Sequence, residues 1–343
     1  MLPWHDFFGE FIPKTLYMHA VVVHQFGGPE ELKYEEIADP VMNPDDVLIK
    51  IYATSVNPVD WKIRKGGRKD TAKFPMILGR DVSGVIEKTG SEVTNFQPGD
   101  EVYANPDISR PGTYAEYIAV RASEIALKPV TIGHESAAAI PLAGLTAWQG
   151  LFDHGELQSG QKILIHGAAG GVGNMAVQLA KWKGAYVIGT ASAQNAAFLK
   201  DLGADEVIDY KNEDFSEKLK DLDVVFDTIG GEVQTKSLKV LKPGGILVST
   251  VGIKDEEAIK AKGLRSAHYL AHPSADQLQE LATLVDTGTI KPVVSRIFSL
   301  KEIEEADRLS EEGHSRGKIV LMVYPSRTQE EIEEFLINFP TFF

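Results

Sequence analysis

The segment Ile163-Leu164-Ile165-His166-Gly167-Ala168-Ala169-Gly170-Gly171-Val172-Gly173 leaves an apolar strand and enters a helical pattern. Glycines at this spacing suit the pyrophosphate of a dinucleotide. They let the backbone approach the anion, while the N–H groups and dipole of a helix start face it. On this pattern Gly170 admits the pyrophosphate and Gly173 permits close packing of helix on strand, with Ala168 where the fingerprint's first glycine would be. The candidate loop contacts are therefore Ala169, Gly170, Gly171, Val172 and Gly173.

A second pattern bears on which dinucleotide binds. NAD-binding loops are followed, about 20 residues on, by an Asp or Glu that holds the ribose 2′-hydroxyl. Here no acid occurs between Glu156 and Asp201, where random placement of the 49 acids would put about six. The second strand instead ends in Thr190-Ala191-Ser192, with Asn195 close behind. A carboxylate there would repel a 2′-phosphate, and hydroxyl or amide donors would not. The expected cofactor is NADPH.

The elements that must carry these residues change texture along the chain. From Met18 to about Pro129, short strands such as His19–His24, Val47–Ala53, Val82–Glu87, Glu101–Ala104 and Ala115–Val120 are punctuated by Gly and Pro, which predicts a mostly β domain. From about Pro141 strands and helices alternate: Lys162–His166, Asn174–Lys183, Ala185–Gly189, Ala193–Leu202, Glu206–Ile208, Val224–Asp227 and Ile246–Thr250. Such alternation predicts βαβ units and a doubly wound parallel sheet. The tail predicts helices at Asp276–Thr287 and Lys301–Glu312, a strand at Lys318–Val323, and no assigned role for Pro325–Phe343.

Composition narrows the partners. The 343 residues give room for about two domains. Net charge is −14, which disfavours nucleic acid and anionic lipid. No apolar run approaches the ~20 residues a membrane span needs, and Met1–Tyr17 lacks the basic-then-apolar order of a signal peptide. A cytoplasmic protein with a small-molecule substrate is expected. There is no cysteine, which excludes disulfides, thiol nucleophiles and Cys-based zinc sites.

Further motifs accompany the glycine loop. They are Ser55-Val56-Asn57-Pro58-Val59-Asp60, Leu78-Gly79-Arg80-Asp81-Val82-Ser83-Gly84, Gly99-Asp100-Glu101-Val102, Pro141-Leu142-Ala143-Gly144-Leu145-Thr146-Ala147, Leu202-Gly203-Ala204-Asp205 and Gly317-Lys318-Ile319-Val320. From about Met18 to Val323 the chain resembles the zinc-free quinone oxidoreductase and enone reductase branch of the medium-chain dehydrogenase/reductase superfamily, the branch of zeta-crystallin. The resemblance implies an α/β protein with a GroES-like, mostly-β catalytic domain (1–140, completed by 289–343) and a Rossmann doubly wound parallel-sheet domain (141–288), assembled as a homodimer. Zinc-holding members of the superfamily use cysteines and a Gly-His-Glu motif. The counterpart here is Gly79-Arg80-Asp81, and a guanidinium that stays protonated cannot ligate a metal. No metal site is expected.

By the same resemblance Asn57, Asp60 and Lys62 line the catalytic cleft. Asn57 donates to a substrate carbonyl as charge grows there, Asp60 fixes Lys62 or the loop, and Lys62 acts electrostatically or as a proton source. Thr146 is placed near the nicotinamide carboxamide. Ser192, Asn195 and Tyr210 surround the 2′-phosphate, with Arg316 and Lys318 as the nearest compensating cations. His166 reads as a structural hydrogen-bonder, and His268 and Tyr269 as contacts either to cofactor or to a neighbouring subunit. The implied activity is NADPH-dependent reduction of quinones or α,β-unsaturated carbonyls. Two alternatives stand beside it: an enoyl-thioester reductase, with Arg64, Lys65 and Arg68 as a cationic mouth, and a non-enzymatic NADPH-binding, crystallin-like protein.

Overall fold

The computed structural model describes residues 17–313 and 315–323; the segment before Tyr17 and the closing Pro325–Phe343, both considered above, lie outside the described residues. Asp46–Val56, rich in β-branched residues, is central to a seven-stranded sheet. Its order is Val294–Ser299, Lys318–Met322, Asp46–Val56, Val82–Thr89, Glu101–Ala104 and Ile125–Leu127, with Tyr117–Arg121 also paired to Asp46–Val56. Lys33–Ala38, Tyr17–Val23 and Met76–Ile77 form a smaller three-stranded sheet beside it.

The second large sheet is six-stranded and parallel, in the order Glu206–Asp209, Tyr186–Ala191, Lys162–Ile165, Leu222–Asp227, Leu241–Ser249 and Arg265–His268. Numbered by sequence this is 3-2-1-4-5-6, the doubly wound order whose crevice lies where the winding reverses, beside Lys162–Ile165. Strand side chains alternate between faces. Ile163, Ile165, Val224 and Phe226 accordingly meet the helix Gly171–Trp182 through Met175, Ala176 and Leu179. Leu164, Val225 and Leu247 meet Phe215 and Ile259 on the opposite face. Each fully buried aliphatic side chain stabilises this packing by roughly 1.5–3 kcal/mol.

Pro141 stands in the first turn of a helix, Pro141–Trp148, where its missing N–H costs nothing. Beyond the helix Ala275–Asp286 the chain returns to the first sheet, and Lys318–Met322 pairs antiparallel with Asp46–Val56, Ile319 opposite Val56. The intervening helix Ile303–Glu312 is anchored by Arg64, a fully buried guanidinium that donates to Asp307 Oδ2 at 2.6 Å and to Glu311 Oε1. Among the described residues no helix is long and apolar enough to cross a membrane.

Candidate dinucleotide cleft and active site

A cleft of about 970 Å³ runs between the two large sheets. Ser192, Asn195 and Tyr210 line one end, Ala169–Gly173 the middle, and Val56, Asn57, Pro58, Ala143 and Lys318 the other end.

The middle is built by the strand Lys162–Ile165, a turn at Gly167 (φ +66°), and the helix that opens after Gly170. The turn's positive φ falls at Gly167, one residue before the Ala168 position where the fingerprint's first glycine is expected. A Cβ at Gly173 would stand 2.2 Å from Gly167 O, so helix and strand meet only through glycine there. A Cβ at Gly170 would meet only Gly167 O, at 3.3 Å, and otherwise open space. The first N–H groups of the helix have no intrahelical partner and lie at this open wall. These residues fit a dinucleotide pyrophosphate. Thr190, at the end of the second strand, accepts the Ala168 N–H through its carbonyl (3.1 Å) and shares a hydrogen bond with His166 Nδ1 (3.1 Å). His166 Nε2 pairs with Ser237 Oγ at 2.9 Å, and burial, outweighing attraction to Asp227, brings its pKa down to about 4. Neutral and doubly bonded, it is a structural group.

At one end Asn195 Nδ2 donates to Ser192 Oγ (3.3 Å), and Arg316 Nε donates to Asn195 Oδ1 (3.0 Å). The Arg316 guanidinium lies 5.0 Å from the Phe198 ring centroid, within reach of a cation–π attraction. Tyr210 is exposed beside them and donates its N–H to Ala191 O (3.2 Å). Ser192, Asn195, Tyr210 and Arg316 thus come together in the structure. Lys318 does not join them.

At the other end Asn57 caps the helix Pro58–Arg64 and donates its N–H to Asp60 Oδ2 at 2.8 Å. Asp60 is wholly buried and also accepts from Tyr114 Oη (2.8 Å) and Gly79 N (3.2 Å). Burial pushes its carboxyl up to about 6, against the pull of Arg80 and these donors. It is not among the residues that line the cleft; it holds the turn that presents Asn57. Lys62 is exposed, its ammonium 5.5 Å from the Trp61 ring. Two helical residues turn the chain by about 200°, so a helix that points Asp60 inward points Lys62 to solvent. It neither lines the cleft nor pairs with Asp60. Thr146 donates its hydroxyl to Leu142 O (2.6 Å) within its own helix and likewise lies outside the cleft wall.

Lys318 lies instead against Asn57. Its ammonium donates to Asn57 Oδ1, to Val56 O (3.0 Å) and to Asp81 Oδ2 (3.3 Å). Asn57 Nδ2 donates to the same Asp81 oxygen at 2.7 Å and makes only a 3.4 Å contact with Ser55 O. Asp81, fully buried, accepts in addition from Ser55 Oγ (2.5 Å) and from Leu142 N (2.6 Å). In sequence Asp81 is only the counterpart of a metal motif's acid; in the structure it is the hub of these hydrogen bonds. Arg80 is buried and donates to Asp107 O at 3.3 Å; burial lowers its pKa, against the opposing attraction of the Asp60 charge.

Four other candidates fall elsewhere. Arg64 and Lys65 are ion-paired, Arg64 with Asp307 and both with Glu311, which removes two members of a cationic mouth. Tyr269 is buried, donates to Thr146 O and stacks on His154 at 4.6 Å, while His268 is exposed. Neither lines the cleft. Among the described residues no group of three or more His, Asp or Glu is placed to hold a metal.

Comparison with known proteins agrees with this architecture. An alcohol dehydrogenase GroES-like domain family matches residues 43–130, and a zinc-binding dehydrogenase family matches residues 202–321. The chloroplastic NADPH-dependent alkenal/one oxidoreductase of Arabidopsis thaliana is 39% identical over 326 residues, 92% of this chain and 81% of its own. The mitochondrial NAD(P)H oxidoreductase RTN4IP1 of Mus musculus is 36% identical over 357 residues, 90% of each chain. The solved quinone oxidoreductase of Coxiella burnetii superposes with a TM-score of 0.85 at 39% identity, covering 90% of this chain and 100% of its own.

Proposed function

The chain belongs to the medium-chain dehydrogenase/reductase superfamily, alongside quinone oxidoreductases and alkenal/one oxidoreductases, and from that premise we propose that it is a zinc-free, NADPH-dependent reductase of quinones or α,β-unsaturated carbonyls. At the family level it is an NAD(P)H oxidoreductase. The observation that carries the finer reading is one continuous cleft, which joins Ser192 and Asn195 to Asn57 and Lys318 past the glycine loop.

Bound there, the nicotinamide cofactor supplies the hydride. The chain's own residues do the rest. Ser192, Asn195 and Arg316 offer donors and positive charge to a 2′-phosphate, with no carboxylate on the strand end Thr190–Ser192. The helix start after Gly170 takes the pyrophosphate. With the phosphates so placed, the reacting end of the cleft is the Asn57 end. The Nδ2–H of Asn57 that makes only the 3.4 Å contact to Ser55 O is the donor for a substrate oxygen that gains negative charge. In this reading Asp60 positions Asn57, and Lys62 takes no part.

The choice of substrate follows from the same chemistry. Arg80 replaces a metal-binding histidine, so nothing at that position lowers an alcohol's pKa as a bound metal would. Quinones and conjugated carbonyls form delocalised anions that one or two hydrogen bonds stabilise. The proposal includes cytoplasmic residence, although the two relatives above are chloroplastic and mitochondrial proteins. It also includes a homodimer, for which Arg265–His268, an edge strand among the described residues, offers backbone groups.

A panel assay tests the reading: purified protein with NADPH against quinones, enones and enoyl-thioesters, and with NADP⁺ against ethanol. Turnover of the first two classes is expected. Ethanol oxidation without quinone or enone reduction overturns it, and thioester turnover alone favours the second reductase. No turnover of any acceptor, with NADPH still bound, favours the non-enzymatic reading.

A further inference from the structure

Lys318 opens its strand at the seam between the two sheets. The preceding Gly317 donates its N–H to Ala169 O (3.0 Å), and Lys318 donates its own to Val293 O (2.8 Å). The side chain then crosses the cleft's middle. Its Cδ would lie 2.8 Å from a Cβ placed on Gly171, at the start of the loop helix. The ammonium ends 261 residues away in sequence, on Asn57 Oδ1, with Val56 O and Asp81 Oδ2 as its other acceptors.

An amide has two ends of nearly the same shape, and packing alone barely distinguishes them. An ammonium has donors only, and a carboxylate acceptors only. Lys318 therefore selects the oxygen of Asn57 and Asp81 selects its nitrogen, so the flipped amide faces two mismatched partners at once. A cation on Oδ1 also polarises the amide and makes its remaining N–H a stronger donor.

We propose that Lys318 is a positioning residue for catalysis: it locks the orientation of Asn57 and strengthens its donor toward the substrate oxygen, instead of serving as a ligand of a cofactor phosphate. The inference rests on the reductase reading. Its signature is coupling to Asn57 with cofactor affinity intact.

Lys318→Met, Lys318→Arg, Asn57→Ala and the Asn57→Ala/Lys318→Met double variant are compared by NADPH fluorescence titration, thermal melting, and kcat and KM for menadione and 3-penten-2-one. Lys318→Met is expected to lower kcat roughly 10–100-fold, less than the loss of a whole oxyanion donor because Asn57 is misdirected and not removed, with NADPH Kd within about threefold of wild type. The double variant is expected to be no slower than Asn57→Ala by more than about threefold, since the two act as one unit. Lys318→Arg, which keeps charge and donors, restores part of the rate. An NADPH Kd raised about tenfold or more with kcat unchanged makes Lys318 a phosphate ligand and overturns the inference, as do rate losses that multiply in the double variant. If Lys318→Met shows no cooperative melt, Lys318→Arg alone and combined with Asn57→Ala decides by the same criteria. Wild-type protein inactive toward both acceptors removes the reductase reading and this inference with it; active wild type with either overturning result removes the inference alone.

Discussion

Asn57 Nδ2 lies 2.7 Å from Asp81 Oδ2, so the amide that lines the end of the cleft beside Lys318 is held by a carboxylate that solvent does not reach. Asn57→Ala removes the donor and leaves Asp81 with fewer partners. The rate of quinone or enone reduction is expected to fall roughly 10–1000-fold, up to the full cost of one oxyanion donor. Steady-state kinetics with a quinone measure it, and an unchanged kcat removes Asn57 from the reaction.

NADPH is expected to bind at least about tenfold more tightly than NADH, a preference worth about 1.4 kcal/mol. Ser192→Asp sets a carboxylate at the phosphate end and should weaken NADPH by on the order of 1–3 kcal/mol. Arg316→Ala should narrow the NADPH/NADH ratio without touching NADH. Fluorescence titration of both nucleotides reads all three, and equal affinities in the wild type sink the assignment.

Asp60 predicts a pH dependence of stability. Its carboxyl titrates near 3.8 when unfolded and about 6 when folded, burial being the first cause. Between those values the folded state holds more protons than the unfolded one, so stability falls as pH rises. The contribution is complete below about pH 3.8 and gone above about 6, of order 3 kcal/mol at 1.36 kcal/mol per unit. Melting temperatures of wild type and Asp60→Asn, compared from pH 4 to 7, should diverge through that window and run parallel above it. A constant difference would contradict the assignment.

Purified protein is expected to hold no stoichiometric zinc, and chelators should leave its turnover unchanged. The grounds are a chain without cysteine and Arg80 in the place of a histidine ligand. Elemental analysis finding one zinc per chain, lost together with activity, refutes this.

What the sequence disclosed were constraints that are local. Gly173 must be glycine because its neighbour is Gly167, six residues away, and the parallel sheet announces itself in the alternation of strand and helix. The position of Lys62 was also within reach, since helical spacing alone sets it on the face opposite Asp60. The strand order is a different matter, because no periodicity records which strands become neighbours. The placement of Lys318 is harder still. In Gly317-Lys318-Ile319-Val320 nothing says which of two distant anionic sites its ammonium serves, and its partners Asn57 and Asp81 lie some 240 to 260 residues away. Arg316, two residues earlier, instead donates to Asn195 Oδ1, 121 residues away.

The bond from Gly317 to Ala169 makes the nucleotide-binding half something other than a portable module. A fragment cut at residue 288 would keep the glycine fingerprint and all six parallel strands. It would lose the turn that closes on Ala169, together with Arg316 and Lys318. A chimera that exchanges substrate halves between relatives must therefore carry residues 315–318 along with the nucleotide half, or supply their equivalents from the other parent.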